Sequence, residues 1–273
     1  MYLRNFLKSI ICKSRILSIF YNFEILKTYL YDFKIIFVAE KQSWSIYDDG
    51  LNLKKYLNQK KKNFMCILKK PGFFQNQIVH FGSQFVWTSW CDYICSSNKI
   101  IVTYYHGKPE DDEYTKMHIE KFISSLNKID LIITSSSRGV KRLKSWGVPK
   151  TMICIVPIGV DVKTFIPLKK EQKNFLIKKY NIPKNQTILG SFQKDGVGWG
   201  RGENPKLIKG PDIFIEVVKE LKKITNPFII LTGPARGFII KELKKLNIRY
   251  LYINASAKTQ IAELYNLLDY YFI

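Results

Sequence analysis

From residue 34 onward, short apolar runs rich in β-branched and aromatic residues alternate with amphipathic stretches, and this alternation leaves few architectures open. In the first part of the chain the runs are residues 34–39 (KIIFVA), 65–68, 77–81 (QIVHF), 100–104 (IVTYY), 131–134 and 153–156. Helix-like pieces lie between them at about 51–57, 84–93, 114–126 and 138–146. A strand that is apolar on both faces needs cover on both faces, and helices between consecutive strands supply it. The pattern predicts a doubly wound α/β domain with a parallel sheet. After Phe165-Ile166-Pro167 a charge-dense segment, 168–180, intervenes. The alternation then restarts with runs at 187–192, 227–232 and 250–253 and helices at 211–223, 238–246 and 258–268. We therefore expect an amphipathic extension over 1–33, a Rossmann-like domain over 34–167 and a second over 168–273. The closing residues Tyr270-Tyr271-Phe272-Ile273 read as the opening of a fourth strand, so the second domain is expected to be a C-terminally truncated one.

Composition narrows the function classes. The chain carries 44 Lys+Arg against 22 Asp+Glu, a formal charge of +22, which points to nucleic acid, an anionic membrane or phosphorylated small molecules as partners. An AT-rich coding sequence also enriches Lys, Ile and Asn, so charge alone does not choose among them. Nucleic-acid binding is the disfavoured alternative: the aromatics fall in strand and helix patterns, and no RRM, KH or helix-turn-helix signature is present. The five cysteines (Cys12, Cys66, Cys91, Cys95, Cys154) are scattered without a Cys-x-x-Cys pair, and only three histidines accompany them. This argues against zinc or a disulfide framework and for free thiols in a reducing, cytoplasmic compartment, with Cys91 and Cys95 one helical turn apart on a core stripe. No metal motif is expected.

Residues 1–33 are apolar and basic, but their longest uncharged run, 16–23, is 8 residues, far short of the roughly 20 that span a bilayer. No A-x-A-like cleavage site follows. Leu3, Phe6, Leu7, Ile10, Leu17, Phe20 and Tyr21 follow a helical pattern that suits either a helix packed on the domain or an interfacial anchor. Residues 51–91 hold seven lysines and no acid, as a solvated face or a surface for anionic lipid or acceptor would.

Candidate chemistry clusters in loops that follow strands. Residues 193–210 (QKDGVGWGRGENPKLIKG) form a long connection; structureless connections beyond about 12 to 15 residues are uncommon in compact domains and are usually functional or disordered. It ends on Lys209 and Gly210 before a helix opening with Pro211-Asp212, where uncapped N–H groups, the helix dipole and the lysine would receive phosphate. Gly196, Gly198, Gly200 and Gly202 would let the backbone approach a ligand, although their spacing is not the dinucleotide G-x-G-x-x-G. A second strand-loop-helix, with Gly233, Pro234 and Arg236, repeats the logic and suggests a nucleotide cleft. In the first domain, strand 100–104 runs into His106-Gly107 and then Glu110, Asp111 and Asp112, placed to meet substrate. Gly82 and Ser83 follow another strand. His80 reads as a buried structural histidine, His118 as a helical one, and Ser135-Ser136-Ser137 as a helix cap.

The segment Val156-Pro157-Ile158-Gly159-Val160-Asp161, followed by Phe165 and Pro167, resembles the interdomain signature of group 1 (family 4) glycosyltransferases of the two-Rossmann GT-B fold. The resemblance extends through Gly190, Lys209-Gly210-Pro211-Asp212, Leu231-Thr232-Gly233-Pro234, Glu263-Leu264-Tyr265 and Asp269. Upstream it includes Glu40, Ser43-Trp44-Ser45-Ile46, His80-Phe81-Gly82-Ser83 and His106-Gly107. It implies transfer of a sugar from a nucleotide sugar, such as a UDP- or GDP-sugar, with retention of configuration and no further cofactor. By the same resemblance, the second domain holds the donor through Lys209, Gly210, Gly190, Gly233 and Pro234. Lys194 or Arg201 replaces the family's arginine after the glycine-containing strand, and His106 is the cleft histidine near the reacting centre. A saccharide or lipid-linked acceptor would lie near Trp44, Gly82, Ser83, Glu110 and Asp111, with the protein peripheral on the inner face of the plasma membrane. The family's Glu-x7-Glu region would follow the strand that begins at Asp269, so these 273 residues are expected to turn over slowly or not at all. An epimerase-type or inactive relative with the same two domains is the alternative within the fold.

Overall fold

The computed structural model describes Leu7, Ser9, Ser14, Ile16, Ile19 and residues 33–40, 45–198, 200–255 and 257–272. Most of the 1–33 extension, Trp44 and the Ser43 of the resemblance lie outside the described residues. The chain divides after Gly159 into two compact units.

The first unit contains a six-stranded sheet in the order β2-β1-β3-β4-β5-β6, every described pair parallel. Its strands are β1 (Ile35–Val38), β2 (Met65–Leu68), β3 (Ile78–Phe81), β4 (Lys99–Tyr104), β5 (Leu131–Thr134) and β6 (Ile153–Ile155). The intervening helices are α1 (Ser45–Lys60), α2 (Gln84–Trp90), α3 (Glu113–Ser124) and α4 (Ser137–Ser145). The strands arise where both alternating side-chain sets are apolar. Val38, Val79, Phe81, Val102, Tyr104 and Ile132 are all fully buried, packed with Trp87, Ile119, Phe122 and Leu143 from the covering helices. Each such side chain contributes about 1.5–3 kcal/mol relative to exposure. Ile19 of the extension packs half-buried against this core.

Two local differences from the sequence pattern have physical causes. Helix α1 begins at Ser45, ahead of the expected 51, because Gly50 continues the helix where Phe37 leaves no room for a side chain: a Cβ there would lie 2.7 Å from Phe37 Cε1. Helix α2 stops at Trp90, so Cys91 is buried but Cys95 lies in the following turn, its thiol 3.3 Å from Ser97 Oγ, and the two do not form a helical stripe. The described cysteines, Cys66, Cys91, Cys95 and Cys154, are free. Ser136 caps α4 by accepting from Gly139 N–H at 3.1 Å, as the serine run predicted.

The second unit contains a parallel four-stranded sheet in the order β10-β7-β8-β9. Helix α5 (Lys170–Lys179) precedes β7 (Thr187–Phe192), and then come α6 (Pro211–Ile224), β8 (Pro227–Thr232), α7 (Gly237–Lys245), β9 (Tyr250–Ile253), α8 (Lys258–Tyr265) and β10 (Tyr270–Tyr271). Phe214, Val218, Ile239 and Leu243 of α6 and α7 pack with β-strand residues into one buried cluster, and Leu176 and Leu264 of α5 and α8 into another. Strand β8 between them is buried along its whole length. The chain thus enters β10 by crossing back to pair with β7, not by extending the sheet beyond β9.

Strands that are not consecutive in sequence become neighbours at one place in each sheet. In the first, the order reverses between β1 and β3; in the second, between β7 and β10. In open parallel sheets the crevice beyond the strand ends at such a reversal is where ligands bind.

His80, in β3, is 9% exposed, its Nε2 2.8 Å from Thr103 Oγ1 and its ring edge-on to Phe37. Burial disfavours the imidazolium and pulls its pKa from 6.5 to about 4. Between those values the folded chain binds fewer protons than the unfolded chain, so stability present above pH 6.5 is lost as pH falls toward 4, by up to about 3 kcal/mol. Urea unfolding of the first unit at pH 7 and pH 4.5 should show this loss, and His80→Asn should reduce its pH dependence. An identical pH slope in the variant would contradict the assignment.

Candidate functional site

In the second unit the β7–β10 reversal brings Gln193, Lys194 and Lys209 to one edge. Gln193 Nε2 donates to the Lys209 carbonyl at 3.0 Å, tying the end of β7 to the residue before α6. A short 3-10 turn, Leu207–Lys209, delivers the chain to Gly210, which caps α6 in the left-handed region at φ 63° and ψ 35°. Few residues besides glycine adopt that geometry cheaply. No side chain caps α6, and Pro211 occupies its first position. The N–H groups of the first turn therefore face outward beside the exposed Lys209, an arrangement that attracts anions. Lys194 is half-buried at the end of β7. Gly190 lies within the strand itself, where a Cβ would be 2.4 Å from Leu268 Cδ1, so packing already requires glycine there.

The long connection from Gln193 to Gly210 is folded. A bridge pairs Gly196 with Pro205, Val197 N–H donates to the Asn204 carbonyl at 2.9 Å, and Lys206 N–H donates to the Asp195 carbonyl at 2.7 Å. Gly196 and Gly202 serve close backbone approach, as their type suggests, but to Ala235 and not to a ligand: a Cβ on Gly202 would lie 2.3 Å from the Ala235 oxygen. Gly198 and Gly200 have open space around them. Arg201 sits over the start of α7, where its carbonyl accepts from Gly237 N–H at 2.8 Å and that of Gly202 accepts from Phe238 N–H at 2.9 Å.

Those two bonds change the reading of the second strand-loop-helix. The first N–H groups of α7 are occupied by the chain's own carbonyls. Arg236, expected near a nucleotide, is 1% exposed instead. Its Nη2 donates to Ser191 Oγ at 3.0 Å, its Nη1 donates to the Gln193 carbonyl, and the same Nη1 lies 2.9 Å from Asp195 Oδ2. Both side chains of this ion pair are completely buried, and neither Asp195 oxygen is aligned to accept a hydrogen bond. Burial outweighs the guanidinium and pushes the Asp195 carboxyl up to about 6. Gly233 (φ 97°) and Pro234 form the turn between β8 and α7, with the Gly233 carbonyl accepting from Tyr252 Oη at 3.2 Å. Nothing in the sequence pattern pairs Arg236 with Asp195; only the exclusion of both from solvent reveals them.

In the first unit the β1–β3 reversal places Glu40 after one strand and Gly82-Ser83 after the other. Gly82 packs against Phe37 and Ile46, with room for no Cβ. Ser83 is buried and caps α2, accepting from Val86 N–H at 3.2 Å. His106 follows the neighbouring strand β4 and is exposed. Its position is fixed by residues the sequence did not single out. Buried Gln84 donates to the His106 carbonyl at 2.6 Å, and Tyr104 Oη and Arg142 Nη1 donate to the Gly107 carbonyl at 2.6 and 3.3 Å. Of the acids, Asp112 caps α3 through Thr115 N–H at 2.8 Å, which holds its pKa below the usual range, and Asp111 accepts from Lys108 N–H at 3.0 Å. Glu110 is exposed. The two carboxylates thus have local structural partners. Among the described residues, no cluster of three or more His, Cys, Asp or Glu could hold a metal, and no helix is long and apolar enough to cross a membrane.

No family model and no curated protein matches the sequence. Solved structures do match the fold. The Anabaena protein Alr3699/HepE, solved in complex with UDP and glucose, aligns with a TM-score of 0.62 over 88% of this chain and 73% of its own, at 13% identity. A glycosyltransferase from Rickettsia africae aligns at 0.56 over 88% and 72%, at 14% identity. WaaG, a glycosyltransferase involved in lipopolysaccharide biosynthesis, aligns at 0.55 over 87% and 74%, at 11% identity. The chain has the α/β fold of GT-B glycosyltransferases, with two Rossmann-type parallel sheets.

Arg236→Ala or Asp195→Ala leaves the other charge buried without its partner and should cost about 3–5 kcal/mol. Removing both together should cost less than the sum of the single losses. Urea unfolding of the second unit measures each, and single losses below about 1 kcal/mol would show that the pair does not hold the loop.

Proposed function

We propose that this chain is a nucleotide-sugar-dependent glycosyltransferase of the retaining, family 4 type, whose second unit takes the donor diphosphate at Lys209 and the start of α6. The observation that carries the reading is the uncapped α6 terminus behind left-handed Gly210, set beside Lys209 where the sheet order reverses. The same fold in Alr3699/HepE, solved both with UDP and with UDP-glucose, supports it.

In the proposed reaction the bond between the sugar's anomeric carbon and the diphosphate oxygen breaks. The acceptor hydroxyl oxygen takes the sugar and gives its proton to the departing phosphate oxygen, and the nucleoside diphosphate leaves with the bonding electrons. Lys209 and the α6 N–H groups stabilise the charge that develops on the departing phosphate, an effect strongest in the transition state. Lys194 adds a second cation from the end of β7. Gln193, through its bond to the Lys209 carbonyl, positions the turn without touching phosphate. Gly233 and Pro234 shape the neighbouring turn.

The first unit is proposed to take a saccharide or lipid-linked acceptor at its own reversal, with His106, Gly82, Ser83 and Glu110 as the groups nearest to it. The Gln84, Tyr104 and Arg142 bonds hold the His106-Gly107 turn against displacement by substrate. Helix α1 offers exposed Leu51, Leu53 and Tyr56 beside a lysine-rich surface, which suits a cytoplasmic protein in peripheral contact with an anionic membrane.

Nucleotide binding tests the donor reading directly, because it needs the second unit alone. By isothermal titration calorimetry, Lys209→Ala should weaken UDP or GDP binding by roughly tenfold or more, the worth of one charge-assisted bond to phosphate. Unchanged affinity for both nucleotides would remove Lys209 from the site.

A further inference from the structure

A second concavity of the same unit lies along the outer side of α7, with a volume of about 770 Å³, in the range of small-molecule sites. One wall is the folded connection at Gly200 and Arg201. The other is the α7 face bearing Ile240, Lys241 and Lys244, closed by Tyr252 of the edge strand β9. The walls are held together by the backbone bonds from Gly237 and Phe238 to Arg201 and Gly202. A Cβ on Gly237 would lie 2.6 Å from the Arg201 oxygen, so the two segments are in close contact.

The lining has one dominant charge. Arg201, Lys241 and Lys244 have no ion-pair partner among the described residues, and Glu203 is the one acid lining the cavity. Lys241 and Lys244 stand three residues apart and so share a helix face. By contrast, Lys245, at the rim, is paired with Glu242 at 2.6 Å. At the base lies Arg236, whose buried Nε has no hydrogen-bond partner among the described residues. Three cations around one opening repel one another, and a bound anion of two or more charges relieves that repulsion. Ala235, Ile240 and the Tyr252 ring add an apolar surface, and the Tyr252 hydroxyl is oriented by the Gly233 carbonyl. An aromatic ring presented in this way stacks on a flat or ring-shaped group.

We propose that this cavity binds a phosphate-bearing small molecule with a ring, independently of the nucleotide-sugar site at Lys209. Arg201 and the Lys241/Lys244 pair would hold the phosphate, and Tyr252 the ring. A nucleotide and a sugar phosphate share this chemistry.

Inorganic pyrophosphate is the probe, followed by amide chemical shifts of the 273-residue chain at about 0.15 M salt, where diffuse surface attraction is largely screened. Shifts should saturate at residues 200–203 and 237–245. Lys241→Ala/Lys244→Ala, both exposed positions that leave the fold intact, should weaken this binding by roughly tenfold or more. Lys209→Ala and a charge-matched control, Lys61→Ala/Lys62→Ala, should leave it unchanged. Displacement of pyrophosphate from these amides by uridine monophosphate identifies a nucleotide as the source, and displacement by glucose 1-phosphate a sugar phosphate. The proposal is overturned if none of the three phosphates moves these amides, if the control pair weakens binding as much as the Lys241/Lys244 pair, or if Lys209→Ala abolishes it. The last outcome would leave the donor reading standing, while loss of nucleotide binding at Lys209 alone would leave this one standing.

Discussion

A guanidinium removed from water needs partners where it lies, and the two terminal nitrogens of Arg236 take them from three parts of one segment: hydrogen bonds to the Ser191 hydroxyl and the Gln193 carbonyl, and an ion pair with the Asp195 carboxylate. This single side chain, contributed by the turn after β8, therefore decides how the chain leaves β7. Once Asp195 is drawn inward, Gly196 meets the backbone of Ala235, the bridge to Pro205 can form, and the chain reaches Lys209 and Gly210 along one route. The geometry of the α6 terminus depends on a charge pair that contacts no part of it. Such a pair contributes little net stability when compared with an apolar pair, yet it is costly to break, which suits a device that fixes a conformation.

The two sheets place their candidate sites by the same topological rule, with different local means. In the second unit the edge of the reversal is made of backbone donors and lysines. In the first it is made of a tightly packed glycine, a capping serine and a histidine turn anchored from below by Gln84, Tyr104 and Arg142. Most of the polar groups near the first reversal already have partners within the protein. The second reversal keeps donors facing outward. A site for a strongly charged ligand and one for a weakly charged ligand would differ in this sense.

Much of this was legible in the sequence because burial on both faces leaves a strong local signature. The runs at 65–68, 131–134, 187–192, 227–232 and 250–253 coincide with strands, since apolar residues dominate each of them. Lys209-Gly210-Pro211 was legible as a helix start because proline and a left-handed glycine have few other uses side by side. Pairings across long separations were not legible. Arg236 looked like a ligand-facing cation because its place after a strand is where such cations occur, and its partner 41 residues earlier carries no pattern that marks it. The glycines of the long connection signalled close approach correctly, but glycine does not specify what approaches. The side of the sheet on which β10 pairs was likewise beyond a local reading, because a parallel crossover can return to either edge.

The occupation of the first α7 amides by the carbonyls of Arg201 and Gly202 makes the β7–α6 and β8–α7 connections of the second unit chemically unequal. Both begin as the same kind of electropositive helix end. One is quenched by the chain's own oxygens, so its polarity is consumed internally and any affinity for anions on that flank must come from side chains that can move. The other presents fixed dipoles that need no rearrangement when charge arrives. A single strand-loop-helix scaffold has thereby been differentiated into a rigid, preorganised pole and an adaptable, lysine-borne one.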